Sequence, residues 1–203
     1  MGVYGTRDGK FIAKKITVKD KLPVQYIIPK TVAYSTAALM SAEDVHTNGT
    51  AAYDNTDLLV QPPYPMTLLV TANVAGTVAN TDELVFVGLD AKGAVISESV
   101  IISSTAATSV ESDNAFAKIT SITSNVVVKS TNVGIGYNNA AIGLPYPIAS
   151  SSDIISYAYD GGFSTAAGAT NALDVDGDYN TVTVLGTAAG KVIQVIYKTK
   201  LQD

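Results

Sequence analysis

The chain has 203 residues, a formal net charge of −5 and a mean hydropathy of +0.24, and only 15% of its residues are charged. The acidic balance argues against a nucleic-acid-binding protein, which needs a basic surface, and no apolar run approaches the roughly 18 residues of a membrane-spanning helix. The sequence contains no cysteine, which excludes disulfides and thiolate chemistry. The excess of apolar residues predicts a surface that neighbouring subunits cover.

Residues 1–22 are polar, basic and glycine-containing, and we expect them to form an extended N-terminal arm before a single β-sandwich domain at 23–203. Residues 11–18 are the one candidate strand within this arm. The arm carries five lysines, which indicate either a solvated face or an arm that lies on an acidic protein surface: Lys10, Lys14, Lys15, Lys19 and Lys21. Removal of the arm is expected to leave the fold intact and to weaken assembly.

Between the arm and the first proline cluster the predicted elements are short. Residues 24–28 form a predicted strand that ends at Pro29, and residues 31–34 form another. Residues 36–43 are predicted to form one or two helical turns. Two polar segments that follow have the composition of exposed loops.

The central stretch lies between two similar proline clusters, Pro62-Pro63-Tyr64-Pro65 and Leu144-Pro145-Tyr146-Pro147. It contains five runs rich in Val, Ile and Thr, residues typical of strands: 67–72, 84–89, 94–102, 116–122 and 125–129. Turn residues follow the runs, among them Asp90–Gly93 and Ser112–Asn114. Short strands at close spacing predict an all-β fold, a β-sandwich of jelly-roll or immunoglobulin-like type.

Within this stretch one hairpin is predicted in detail. Ala91 and Lys92 form the centre of the turn, and Gly93 takes the positive φ that a type I turn followed by a bulge requires. After Pro147 the predicted strands are 154–159, 181–185 and 191–200. The last of these is long and apolar, so it is expected to lie in the centre of a sheet.

The central stretch resembles a recurrent virion module of tailed bacteriophages. The resemblance covers about residues 58–148 and is carried by the proline entry, the Gly-Leu-Asp-Ala-Lys-Gly hairpin at 88–93, Ile-Ser-Glu-Ser-Val-Ile-Ile at 96–102 and Ala-Phe-Ala-Lys-Ile-Thr-Ser-Ile-Thr at 115–123. Gly134-Ile135-Gly136 and Ile142-Gly143-Leu144-Pro145 occupy the places of the module's exit motifs. Met66 stands where the module usually has a charged residue.

The resemblance implies a non-enzymatic virion protein, made in the host cytoplasm and located on the phage head. Capsid decoration, or cement, proteins of this kind bind the major capsid protein and bridge capsomers, and a homotrimer suits a threefold site. An alternative is a head-fibre or tail module that adheres to a host glycan or receptor. A third reading, a hydrolase on a β scaffold, is disfavoured by the single histidine and the absence of cysteine. No cofactor, nucleic acid or membrane partner is expected.

Candidate interface residues are tyrosines that lie near predicted loops or strand ends, because tyrosine is enriched at protein interfaces. They are Tyr64, Tyr137, Tyr146, Tyr157 and Tyr159. The alternative for each is packing within the core or at its rim.

Two other patterns bear on chemistry. Asp174, Asp176 and Asp178 alternate around Gly177 as in a calcium loop, with Asp160 or Asn180 as further oxygen donors, but Leu185 stands where an EF-hand has its glutamate. An Asx turn before a strand is the simpler interpretation. His46 lies in a polar loop beside Glu43 and Asp44, a setting typical of a solvated histidine.

Overall fold

The computed structural model describes residues 22–28, 30–45, 51–53, 60–74, 82–102, 108–126, 131–159, 162–165, 173–184 and 190–199. Within these ranges the chain is built of strands and one short 3-10 turn, Ser151–Asp153. The predicted all-β class is confirmed. The strands are β1 Leu22–Ile28, β2 Ser35–Asp44, β3 Ala51–Tyr53, β4 Met66–Val74, β5 Glu83–Leu89, β6 Val95–Ile101, β7 Thr108–Phe116, β8 Lys118–Ser124, β9 Thr131–Gly143, β10 Ile154–Tyr159, β11 Gly162–Thr165, β12 Leu173–Asp176, β13 Thr181–Val184 and β14 Ile193–Thr199.

The strands form three antiparallel sheets. The largest has the order β12-β13-β9-β4-β7, and β2 also pairs with β9. Two four-stranded sheets have the orders β1-β14-β10-β11 and β3-β8-β5-β6. Strand β5 shows why such segments form half-buried strands: Leu84 and Phe86 are fully buried, while the alternate residues are partly exposed.

The first hydrophobic core lies between the sheet β3-β8-β5-β6 and the six-stranded sheet. The Phe86 and Phe116 rings are 6.2 Å apart between centroids and tilted by 55°, the offset geometry that aromatic pairs prefer. Leu68 of β4 and Ile135 of β9 are also fully buried there. Each such side chain contributes about 1.5–3 kcal/mol through burial.

The second core lies between the sheet β1-β14-β10-β11 and the other end of the six-stranded sheet. It includes Met66, Ile142, Val182 and Tyr197, all fully buried. Met66 is fully buried, which favours an apolar residue at this position because a buried charge is costly. Tyr137 packs against both cores, so the six-stranded sheet joins them.

The helical turns predicted at 36–43 are wrong, because these residues belong to β2. Leu39 and Met40 are fully buried in the first core, and β2 pairs with β9 at Ser35↔Tyr137 and Met40↔Ile135. Tertiary packing therefore overrides the helix preference of this alanine-containing segment. The strand approaches β9 so closely that a Cβ at Gly136 would overlap the Ser35 carbonyl oxygen.

The strand predicted at 31–34 is also wrong. Thr31 pairs with the segment before β14: its N–H donates to the Lys191 carbonyl at 2.8 Å, and the Gly190 N–H donates to the Thr31 carbonyl at 2.8 Å. The Lys191 N–H also donates to Thr31 Oγ1 at 2.9 Å. These bonds hold one residue against the segment that leads into β14, and the ladder does not extend further.

The turn predicted at 112–114 is a bulge within β7. The three residues oppose a single residue of β4, Leu68, because Thr67 pairs with Ala115 and Leu69 pairs with Glu111. Ser112 replaces the missing ladder bond, since its Oγ accepts the Leu68 N–H at 2.8 Å and donates to the Asn114 carbonyl at 2.9 Å. The turn chemistry of these residues bends the strand without ending it.

Other boundaries shift as well. The run predicted at 116–122 is divided at Ala117, where β7 ends and β8 begins. Of the run predicted at 125–129, residues 125 and 126 are not in a strand, and 127–129 lie outside the described residues. The predicted arm also lies outside them, except for Leu22, the first residue of β1.

The hairpin at Asp90–Gly93 is confirmed. Gly93 has φ of 84°, and its N–H donates to the Asp90 carbonyl at 3.0 Å. The Asp90 carboxylate accepts the N–H groups of Lys92 and Ala94, both at 2.8 Å. The predicted strand at 154–159 is β10, and the predicted central strand is β14, which lies between β1 and β10.

Candidate interface site

The two proline clusters lie side by side at one end of the six-stranded sheet. Strands β4 and β9 are antiparallel, and Met66 pairs with Ile142, so the start of one strand meets the end of the other. The Gly143 N–H donates to the Pro65 carbonyl at 2.9 Å. The two proline clusters, about eighty residues apart in the sequence, therefore belong to one structural region.

Two of the five candidate tyrosines are buried within the chain, which corrects their assignment as interface contacts. Tyr64 is 8% exposed and Tyr157 is 6% exposed, both in the second core. The Tyr64 hydroxyl accepts the Val32 N–H at 3.3 Å, and burial raises the pKa of this tyrosine. Both rings pack in the second core and stabilise the fold there. Because they are buried, they are not available for contact with a partner protein.

Tyr146 is the candidate that the structure places on the surface, at 50% exposure. The Nζ of Lys92, at the hairpin tip, lies 5.9 Å from the centroid of its ring, within the range of a cation–π interaction. The backbone of Tyr146 is attached to the core, since its N–H donates to the hydroxyl of the fully buried Tyr197 at 3.2 Å. Burial raises the pKa of Tyr197 to about 12.

Of the other two candidates, the structure describes the side chain of Tyr137 but not that of Tyr159. Tyr137 is half-buried between the two cores. The backbone of Tyr159 ends β10, but its side chain lies outside the described residues.

Tyr179 joins Tyr146 as an exposed aromatic residue, and the sequence analysis did not select it. It is 40% exposed and lies in the turn between β12 and β13. Its hydrogen bond to the Asp113 carboxylate, together with that negative charge, raises the pKa of Tyr179. A tyrosine directly after Asp-Gly-Asp in a predicted turn was a usable signal, because turn residues are usually exposed.

Three loops meet around a cavity of about 120 Å³. They are the hairpin tip, the start of the second proline cluster and the β12–β13 turn, and the lining includes Lys92, Leu144, Asp178 and Tyr179. We refer to the exposed residues Tyr146, Tyr179, Lys92 and Asp178 as the tyrosine surface. Two amphipathic rings and two charges of opposite sign can make hydrogen bonds and bury apolar area against another protein.

The aspartate cluster forms an Asx turn, as the simpler interpretation predicts. The Asp176 carboxylate accepts the N–H of Asp178 at 2.9 Å and of Tyr179 at 3.3 Å, and Asn180 closes the turn with φ of 53°. The amide oxygen of Asn180 accepts the Ile148 N–H at 3.3 Å, so it holds the chain after the second proline cluster. Asp160, the other suggested donor, lies outside the described residues.

Neither a metal centre nor a membrane helix is found in the described part of the chain. No group of three or more His, Asp or Glu side chains there is arranged to hold a metal ion. No helix among these residues is long and apolar enough to cross a membrane. His46 lies outside the described residues, and Asp44, which is near it in sequence, is exposed.

No protein-family model matches the chain, and comparisons with curated proteins and with solved structures also find no match.

Proposed function

We propose that the chain is a non-enzymatic structural protein of a tailed-phage virion that binds the major capsid protein on the head and bridges adjacent capsomers. The observation that carries this proposal is the tyrosine surface, where two exposed aromatic rings and a lysine are held together by three loops. Tyrosine is among the residues that dominate protein interfaces. The resemblance of residues 58–148 to a phage virion module supports the same conclusion.

Hydrogen bonds constrain both tyrosines of the tyrosine surface. Tyr146 lies between Pro145 and Pro147, and its backbone is tied to the buried Tyr197 hydroxyl. Tyr179 is tied to Asp113 on β7. A contact surface that is already fixed loses little conformational entropy on binding, so more of the interaction energy appears as affinity.

A homotrimer at a threefold or local threefold position of the capsid is the assembly we propose. Closed symmetry lets each copy use the same surface without open polymerisation. Each copy then contacts capsid subunits through its tyrosine surface, and the trimer connects the capsomers around the axis.

Phage particles that lack the protein test the proposal. Addition of the purified chain should restore occupancy on the head and raise the temperature at which the genome is released. The double variant Tyr146→Ala with Tyr179→Ala should bind at least about thirtyfold more weakly, because loss of an interface anchor costs about 2 kcal/mol or more. Tyr34→Ala is the matched control, since Tyr34 is 56% exposed and is not part of the tyrosine surface.

The same particles distinguish the alternative. If particles without the protein resist heat and osmotic shock as well as complete particles do, but no longer adsorb to host cells, the chain is an adhesive module. Capsid bridging is then the wrong function.

A further inference from the structure

A second surface, on the opposite face of the six-stranded sheet from the second core, forms a groove of about 430 Å³. Its floor consists of small residues on three neighbouring strands, Thr67, Ala141, Thr181 and Thr183. The register places them on one face, because Thr183 pairs with Ala141. The alternate residues of β12 and β13, Val175 and Val182, face the second core.

Carboxylates form both walls of the groove. Asp174 and Asp176 of β12 stand on one side, where they pair with Thr183 and Thr181. Glu111 and Asp113, at the bulge of β7, stand on the other side. Strands β12 and β7 are at opposite ends of the sheet order, so the floor of the groove spans the strands between these two walls. No lysine or arginine lines the groove among the described residues.

The floor also has a polar group that is available for a ligand. Thr181 is only 6% exposed and lines the groove, yet its hydroxyl makes no hydrogen bond with another group in the described part of the chain. A buried hydroxyl without a hydrogen-bond partner is unfavourable, because it has lost its hydrogen bonds to water. An occupant that offers a backbone N–H or carbonyl would satisfy it.

The chain itself contains a segment of complementary charge. Residues 1–21 carry six basic and two acidic side chains, a net charge of +4, so the rest of the chain carries −9 of the total of −5. Adjacent lysines, such as Lys14 and Lys15, point to opposite sides of an extended segment. An extended segment in the groove would therefore direct lysines towards both acidic walls.

We propose that the groove binds the basic N-terminal segment, residues 7–21, of a second copy of the chain. The segment leads into β1, whose sheet packs on the Val175 and Val182 side of the six-stranded sheet. It therefore starts on the side away from its own groove, which favours a neighbouring copy as the acceptor. The inference rests on the proposed self-association, and it does not depend on attachment to a capsid.

Zero-length carbodiimide cross-linking of the full chain tests the contact directly, because it joins lysine amines to carboxylates that they touch. A mixture of isotopically labelled and unlabelled chains separates contacts between copies from contacts within one copy. We expect mixed-isotope cross-links from lysines of residues 10–21 to Asp174, Asp176, Glu111 or Asp113. Cross-links confined to single chains, or none at these four carboxylates, would overturn the proposal.

Charge reversal provides a second test. Asp174 is exposed, so Asp174→Lys should not disturb the fold. It should weaken self-association about threefold to tenfold and reduce its dependence on salt, since exposed ion pairs are individually weak and screened. Glu83→Lys, the same change on the sheet β3-β8-β5-β6, is the control and should have no such effect.

Deletion of residues 1–21 should weaken self-association at least as much as Asp174→Lys. If both variants self-associate like the unmodified chain, the groove contact is wrong while the tyrosine surface is unaffected. If the unmodified chain is monomeric at all concentrations, the groove contact and the homotrimer are both wrong, and capsid binding is decided separately by the particle experiment.

Discussion

At the scale of single residues, two glycines of β9 are required by the strand that passes next to them. A Cβ at Gly134 would lie 2.8 Å from the Thr36 carbonyl oxygen, and one at Gly136 would overlap the Ser35 carbonyl oxygen. Neither neighbour is a flexible side-chain end that can move aside. The Gly-Ile-Gly sequence at 134–136 thus has a packing role in this chain.

Gly136→Ala should destabilise the protein by about 3 kcal/mol or more, because β2 must move away from β9 to admit the methyl group. Gly93→Ala is the matched control. Gly93 has open space around its Cβ position, so only its φ of 84° opposes alanine, at about 1–2 kcal/mol. Urea denaturation of both variants checks the difference. Equal losses would show that β2 does not pack on Gly136 as described.

Tyr197 couples the stability of the fold to alkaline pH. Its folded pKa of about 12 is above the ordinary value of 10.0, because burial disfavours the charged tyrosinate. The contribution of Tyr197 to the free energy of unfolding is therefore fully present below pH 10. It is lost as the pH rises from 10 towards 12.

Tyr197→Phe should destabilise the protein at pH 7 by about 1 kcal/mol, because the Tyr146 N–H loses its acceptor. The same variant should lose less stability than the unmodified chain between pH 10 and 12, since one of the buried tyrosines can no longer ionise. Denaturant melts at pH 7, 10 and 11.5 measure both effects. A variant whose stability falls as steeply as that of the unmodified chain above pH 10 would contradict this role.

At the scale of elements, Glu98 joins the open edges of two sheets. Strand β6 ends the order β3-β8-β5-β6, and β7 ends the order of the six-stranded sheet. The Glu98 carboxylate accepts the N–H groups of Asp113 at 2.6 Å and Asn114 at 2.8 Å, and the Asn114 Nδ2 at 3.0 Å. The Glu98 carboxylate thus provides acceptors for the free backbone N–H groups of the bulge. A charged residue between two sheet edges also hinders pairing with strands of other molecules.

Glu98→Ala should destabilise the protein by about 1–3 kcal/mol, because two backbone donors of the bulge lose a charged acceptor. Amide hydrogen exchange of Asp113 and Asn114 should accelerate selectively. Ser97→Ala, at an exposed position on the same strand, should change stability by less than about 0.5 kcal/mol. Unchanged exchange at both amides in Glu98→Ala would exclude this role of Glu98.

At the scale of the whole molecule, two hydrophobic cores share one sheet. Tyr137 packs against both, and β4 and β9 contribute residues to each: Leu68 and Ile135 to the first, Met66 and Ile142 to the second. Loss of either core would expose apolar residues of strands that the other core needs. The two cores should therefore unfold together.

Thermal unfolding should accordingly be a single cooperative transition, with calorimetric and van't Hoff enthalpies that agree. Tyr137→Ala should lower the stability by about 3 kcal/mol and broaden or split the transition, because it removes a side chain that contacts both cores. Differential scanning calorimetry measures both quantities. Two resolved transitions in the unmodified chain would mean that the cores are separate folding units.

Local chemistry was sufficient to predict the all-β class and several elements. Residues such as Val, Ile and Thr favour strands through their own shape, so β5, β6, β10 and β14 were found with small boundary errors. The Asp90–Gly93 turn was predicted in detail because its hydrogen bonds and its positive φ involve only residues within the turn. The Asx turn at Asp176 is local in the same way.

Features that depend on distant residues could not be predicted. Residues 36–43 were predicted to be helical because only pairing with β9, about ninety residues later, makes them a strand. For Tyr64 the sequence left both an interface and a core position open, since its burial depends on residues of β10 and β14 that are distant in the sequence. The tyrosine surface and the groove each combine residues from separate strands and loops. Their positions follow from strand order and register, which are set by packing between sheets. That packing involves residues far apart in the sequence, so local sequence patterns do not predict it.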